Sequence, residues 1–305
     1  MVRRPGAGAG PATTPGRTAS PGSLGERLCL HTWTLDTTPL GEVLRVASRT
    51  GWNAVELRRV DFERARERRQ GEESVLDLVR AAALPVACVG GERGWMFASG
   101  DVWPRLRQGW VESCRWARAL GAGLTMSPTD PGRGTVSDAA ARVREVGDVA
   151  AEHGVRVALE AFSQAAQLRT LGHVREIVAK AGHPAVGLLV DAYHLVRSGD
   201  GLAVLEDLRP EEIAYVQYSD APRDGGQPGQ TSDRLPPGQG RVPFREFFAL
   251  IAAKGYAGFL SYEAPNPAAW ARPPEDVARE AALATRALLP GRRPGGGVRP
   301  RPSRG

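Results

Sequence analysis

Residues 137–160 read SDAAARVREVGDVAAEHGVRVALE, and the fold is decided by how this stretch is divided. Residues 137–152 read as a helix that opens on Ser137 with Asp138 in its first turn and stops at Gly154. Residues 155–160, VRVALE, follow as a short apolar run of strand character. The same phrase of helix end, glycine turn and strand recurs in RTGWNAVEL (49–57), ALGAGLTM (119–126) and AKGYAGFLSYE (253–263).

Working outward, strands are expected at 28–33, 53–57, 85–89, 122–126, 155–160, 186–191, 213–218 and 258–263. Helices are expected at 39–50, 73–83, 104–120, 137–152, 169–181, 201–208, 243–254 and 273–288. Near-continuous apolar strands belong to parallel sheets covered on both faces. Eight β-then-α units therefore predict a (β/α)₈ TIM barrel. A doubly wound open sheet is disfavoured because no glycine-rich phosphate loop opens a helix; GAGAG (6–10) has no strand before it.

The formal net charge of +6 is misleading until it is located. Residues 1–25 hold Arg3, Arg4 and Arg17 and no acid (+3), and residues 291–305 hold five arginines (+5), so the remainder carries 6 − 8 = −2. The expected organisation is a disordered tail at 1–25, a barrel domain at 26–290 and a disordered basic tail at 291–305. A mildly acidic body lacks the electrostatic footprint of a nucleic-acid binder, so no nucleic acid is expected as a partner. No apolar run reaches the roughly 18–20 residues of a bilayer span, and the N-terminus lacks the apolar stretch of a secretory signal. The three widely spaced cysteines, Cys29, Cys88 and Cys114, fit free core thiols. The expected location is the cytoplasm.

In a barrel, chemistry collects at the carboxyl ends of the strands. The fifth strand ends in Glu160, the sixth in Asp191 with His194 after it, and the eighth in Glu263. The seventh carries Gln217 and then Asp220. Any one carboxylate could cap the following helix, but four consecutive strands each placing an oxygen donor at the rim point to a shared site. Three converging acids repel one another unless they share protons or surround a cation.

The set VALE (157–160), DAYHLVRSG (191–199), YVQYSDAP (215–222), PPGQGRVPF (236–244) and SYE (261–263) resembles the xylose isomerase-like barrel superfamily, in particular its sugar phosphate isomerase/epimerase proteins. The resemblance spans about residues 28–288. It implies one divalent cation held by Glu160, Asp191, Gln217 and Glu263, with Glu160 and Glu263 as the catalytic proton-transfer pair and His194 touching substrate. Gln217 departs from the histidine usual at its place. An amide oxygen still suits a hard ion, so Mn²⁺ or Mg²⁺ is favoured, with Co²⁺ and Zn²⁺ as alternatives. A Q-x-x-D version also occurs in relatives resembling bacterial 3-dehydroshikimate dehydratases, which keeps a dehydratase as the alternative reaction.

Arg197 and Arg234, with His31 and Trp33, are candidates for substrate binding, the arginines toward a phosphate or carboxylate; Arg241 could serve likewise but reads rather as an exposed loop arginine, and Glu56 and Arg58 are candidates for the mouth. Trp95, in the glycine-rich loop 90–100, reads equally as part of a substrate cover or as a packed aromatic. His153, His173 and His183 fall away from strand ends and are expected in solvent. The leading expectation is a metal-dependent isomerase or epimerase acting by proton transfer beside the carbonyl of a sugar, sugar phosphate or cyclic polyol, with an assembly of identical copies left open. An abasic-site endonuclease fits poorly, because the chain has five histidines and none on strands two to four. A non-enzymatic sugar-binding barrel is disfavoured by the intact donor set.

Overall fold

The computed structural model describes residues 23–224, 226 and 229–291. The two expected tails lie outside these residues apart from Ser23–Gly25 and Gly291. Leu24, placed in a tail by the sequence reading, is buried in a short 3₁₀ turn, Leu24–Glu26.

Eight parallel strands close on themselves: β1 (Leu28–His31), β2 (Ala54–Leu57), β3 (Val86–Gly90), β4 (Leu124–Pro128), β5 (Arg156–Glu160), β6 (Val186–Asp191), β7 (Ile213–Tyr218) and β8 (Leu260–Tyr262). Each pairs with its sequence neighbours, and β8 pairs with β1. Helices ring the barrel: α1 (Leu40–Arg49), α2 (Arg59–Glu67), α3 (Glu73–Ala82), α4 (Val102–Ala119), α5 (Val136–Glu152), α6 (Leu171–Ala181), α7 (Ala192–Ser198), α8 (Phe244–Ala253), α9 (Pro267–Trp270) and α10 (Pro274–Leu288).

The period-two alternation of side chains creates two buried layers. On β5, Val157 and Leu159 join the large core against the helices, while Ala158 faces the axis. On β6 and β7, Leu188, Val190, Val216 and Tyr218 belong to the outer core, and Leu189 and Tyr215 to the axial cluster with Cys88, Leu124 and Met126. Emptying an outer position such as Leu159→Ala is expected to cost about 2–5 kcal/mol. Continuing the same alternation, Glu160, Asp191 and Gln217 share the axial face of their strands with Ala158, Leu189 and Tyr215, which brings them to the carboxyl rim.

Three local readings are corrected. The cap of α5 is Thr135: its hydroxyl accepts from the Asp138 N–H at 3.1 Å, and the Asp138 carboxylate accepts from the Thr135 N–H at 3.1 Å. β1 ends at His31, because Nδ1 of His31 accepts from the Trp33 N–H at 3.0 Å and turns the chain into the 3₁₀ segment Thr32–Leu35. The helix expected at 201–208 reduces to the 3₁₀ turn Ala203–Leu205. In its place α7 begins directly after β6. Helix α2, with nine residues rich in arginine and acid, was also missed. Gly154 closes the quoted helix with φ +66°, a conformation that side-chain-bearing residues rarely adopt.

Candidate active site

A cavity of about 380 Å³ opens at the carboxyl ends of the strands, lined by His31, Trp33, Arg58, Arg93, Glu160, Phe162, His194, Arg234 and Glu263 among others. Asp191 and Gln217 do not line it; both are buried beneath, with Gln217 fully inaccessible. In register, Asp191 lies beside Gln217, and Gln217 beside Ser261.

Arg234, on the loop after β7 and only 3% exposed, is the hub. Its Nη1 donates to Asp191 Oδ2 and to Glu263 Oε2, each at 2.9 Å, and its Nη2 donates to His194 Nε2 at 3.2 Å. The loop is pinned by Asn266, whose Nδ2 donates to the Arg234 carbonyl at 3.0 Å, and by the Tyr193 ring, 4.3 Å from the guanidinium carbon. Burial alone would lower the pKa of Arg234, but the carboxylates of Glu263, Asp191 and Glu160 more than offset it and keep it charged.

One cation does not neutralise three acids evenly. Glu160 is pushed well above the ordinary carboxyl range by burial, then by the charges of Asp191 and Glu263. Asp191 is raised to about 6 by burial, with Arg234 opposing. Burial also acts upward on Glu263, but Arg234, with His31, Arg93 and Arg58 behind it, outweighs burial and holds that carboxyl low. The two glutamates expected to exchange protons thus differ in basicity.

Both site histidines are neutral. Burial pushes His31 down to about 4, with Glu263 opposing, and pushes His194 well below its usual value, with Arg234 adding. With Nδ1 of His31 engaged as an acceptor, its proton lies on Nε2, which faces Glu263 Oε1 at 3.4 Å and Glu56 Oε1 at 3.7 Å. For His194, Nε2 accepts from Arg234, so Nδ1 carries the proton and donates to Ser163 Oγ at 2.8 Å. The 3.3 Å approach of the Ser163 N–H to the same Nδ1 is the weaker interaction and gives way.

Several residues serve the frame around the cavity. Asp191 Oδ1 accepts from the Tyr193 N–H at 2.9 Å and caps α7, so this acid is both a helix cap and part of the acid cluster. Asp220 accepts from the backbone N–H groups of Gly238, Gly240 and Val242 and so ties down the loop after β7. A Cβ at Gly240 would sit 2.0 Å from the Ala221 carbonyl oxygen, which leaves glycine as the residue that fits. Arg197 lies outside the cavity, 3.7 Å from Asp233, and Arg241 donates to the Val196 carbonyl. Trp95 is a packed aromatic: it is fully buried, donates to Ser127 Oγ at 2.9 Å and meets Trp110 edge-on. His153, His173 and His183 are half-buried and hydrogen-bonded away from the site.

Sequence reasoning did not single out Arg93 or Ser163. Five arginines line the cavity. Arg58 pairs with Asp36 and Asp61, Arg59 with Glu63, Glu92 and Glu112, Arg64 with Asp36, and Arg234 with the acids. Among the described residues, the exposed Arg93 side chain makes no hydrogen bond or ion pair. Its loop is held by Asp130, whose carboxylate accepts from the N–H groups of Gly94 at 2.9 Å and Met96 at 2.6 Å.

The donors suit a metal. Among the described residues, Glu160, Asp191 and His194 bring atoms of ligand type within 4.8 Å of one another, but the free lone pair of His194 is taken by Arg234, so the carboxylates are the available donors. Among the described residues, four buried side-chain oxygens lack any hydrogen-bond partner, on Glu160, Gln217, Asp233 and Ser261, an expensive state for an oxygen that nothing coordinates; Glu160 and Gln217 belong to the expected donor set. The donor chemistry of the acids and the amide matches a hard divalent ion.

Comparison with known proteins places these features in context. The family model described as xylose isomerase-like TIM barrel matches residues 44–288. A 3-dehydroshikimate dehydratase of Pseudomonas putida is 32% identical over 149 residues, 48% of this chain and 23% of that protein. An inosose isomerase of Halalkalibacterium halodurans is 30% identical over 125 residues, 40% of this chain and 44% of that protein. The chain thus spans less than half the length of these curated relatives. A crystal structure of an IOLI protein with a zinc atom bound superposes with a TM-score of 0.78 at 17% identity, covering 86% of this chain and 98% of that one, a likeness that speaks to the fold alone. A closed eight-stranded barrel with acids gathered at its carboxyl rim, matched by the family model over most of its length, belongs to the xylose isomerase-like TIM barrel family.

Proposed function

We propose that this protein is a divalent-metal-dependent enzyme that removes a proton from a carbon beside a carbonyl of a sugar or cyclic polyol derivative, and returns it as an isomerase or epimerase. The observation that carries this reading is the pair of partnerless buried oxygens, on Glu160 and Gln217, within a rim that also holds Asp191 and Glu263. Glu160, Asp191, Gln217 and Glu263 would hold the cation. Bound there, it supplies Lewis-acid stabilisation of negative charge developing on a substrate oxygen.

The chain's own groups account for the rest. Glu160 and Glu263 both line the cavity and divide the proton transfers between them. Arg234 fixes the direction of the Glu263 carboxylate, and Ser163 fixes the ring of His194, which faces the cavity as a neutral hydrogen-bonding group. Phe162 and Trp33 supply apolar wall for the carbon skeleton.

A second outcome of the same proton abstraction, loss of a hydroxyl as in a 3-dehydroshikimate dehydratase, is favoured by one specific observation. The unpaired Arg93 at the cavity suits a substrate that carries a carboxylate or phosphate. The match to the Pseudomonas dehydratase supports the same outcome. The test is turnover of ketoses, inosose-type polyols and 3-dehydroshikimate with several divalent metals, by the parent, Glu160→Gln and Glu263→Gln. Each substitution keeps the shape but removes proton acceptance, and a loss of about 10²–10⁴-fold is expected. Activity within threefold of the parent would remove that glutamate from the mechanism.

A further inference from the structure

We infer that Glu56, a buried acid of β2, is a positioning residue that fixes which end of the Gln217 amide faces the strand-end acids; the inference rests on the cation-site reading above. The two ends of a glutamine amide are nearly equal in size, but the oxygen can ligate a cation and the NH₂ group cannot. An unanchored glutamine would therefore present the wrong end part of the time. Here Gln217 Nε2 donates to Glu56 Oε1 at 2.9 Å, which leaves Oε1 of the same planar amide directed away from Glu56 and without a partner. Against an ionised Glu56 the reversed amide would set two acceptor oxygens together in a fully buried place.

Glu56 is itself held. Tyr215, two residues before Gln217 and on the same face of β7, donates its hydroxyl to Glu56 Oε2 at 3.0 Å. These two hydrogen bonds to Glu56 come from the one strand that supplies an amide to the rim, while Glu56 reaches them from β2, with Ser261 of β8 and His31 of β1 beside it. Oxygen-specific presentation of Gln217 is a property of this three-residue arrangement and not of Gln217 alone. Groups that orient a metal ligand typically change metal affinity by about 10–100-fold when removed.

The test is calorimetric titration of the full chain with Mn²⁺ at constant pH. Glu56→Asp keeps the charge and draws the acceptor back; Glu56→Leu removes the acceptor altogether. Orientation predicts a loss of about tenfold or more in both. In a Gln217→Ala background, either substitution should change affinity less than twofold. A loss under tenfold in both variants, or an undiminished effect of either without Gln217, would overturn the inference. If Glu56→Asp fails to unfold cooperatively, the Glu56→Leu arm decides alone by the same two criteria. A parent that binds no Mn²⁺ overturns the cation reading, and this inference falls with it; a binding parent with the wrong variant pattern overturns this inference only.

Discussion

The two halves of the barrel do different work. Strands β5 to β8 deliver Glu160, Asp191, Gln217 and Glu263, the proposed oxygen donors, with Asp191 and Glu263 sharing Arg234. Strands β1 to β4 and their loops deliver neutral His31, the wall residues Trp33, Met126 and Pro128, and an unpaired Arg93. Gly91, just after β3, packs so closely that a Cβ there would lie 2.6 Å from the Trp110 ring. On the proposed function, the acids carry the proton transfers, while Trp33 and Arg93 of the first half, with Phe162 of the second, meet the carbon skeleton and its charge. Glu56 bridges the halves, reaching from β2 to a donor on β7.

The sharpest way to break this division is Arg234→Met. If the second half is an acid cluster that needs an internal cation, removing this one leaves buried carboxylates unpaired, and a loss of about 3–5 kcal/mol in metal-free protein is expected by chemical denaturation. A loss under about 1 kcal/mol would mean that the acids share protons without it. Arg93→Ala probes the other half. It should raise KM for carboxylate- or phosphate-bearing substrates by about tenfold, the value of roughly 1.4 kcal/mol, and leave neutral polyols and the thermal midpoint unchanged. An equal effect on neutral and anionic substrates would show that the first half does not select by charge.

A smaller effect sharpens the bridge. Burial first, and then the Glu263 charge, raise Glu56 to about 8, above its value in an unfolded chain. The folded state therefore binds this proton more tightly. The corresponding stability is fully present below about pH 4.5 and is lost as pH rises through about 8. Glu56→Gln cannot ionise, so in chelator its thermal midpoint should gain on the parent between pH 5 and pH 8. The gain should grow steadily with pH across this range. A parent-minus-variant difference independent of pH would contradict the assigned direction.

The sequence made the second half of the barrel more legible than the first, for a physical reason. Carboxylates closing apolar strands are conspicuous, because an unpaired buried charge is costly and seldom incidental. All eight strands stood out as apolar runs, but α2 did not, because the nine residues of RVDFERARE bury only Asp61, Phe62 and Ala65. Helix α7 was hidden because its cap, Asp191, is itself one of the acids. Asp220 read as a companion of Gln217, yet it serves three backbone N–H groups of its loop; both uses put an acid after an apolar strand. Arg93 left no trace in the sequence, since a loop arginine without a partner becomes informative after its neighbours are found paired.

The central claim is that the second half of the barrel holds a divalent cation through its strand-end oxygens. Titration of chelator-treated full chain with Mn²⁺, alongside Glu160→Gln and Gln217→Leu, tests it most directly. The account predicts one site per chain in the parent and markedly weaker binding in both variants. No binding by the parent, or affinity unaltered in Gln217→Leu and Glu160→Gln, would contradict it.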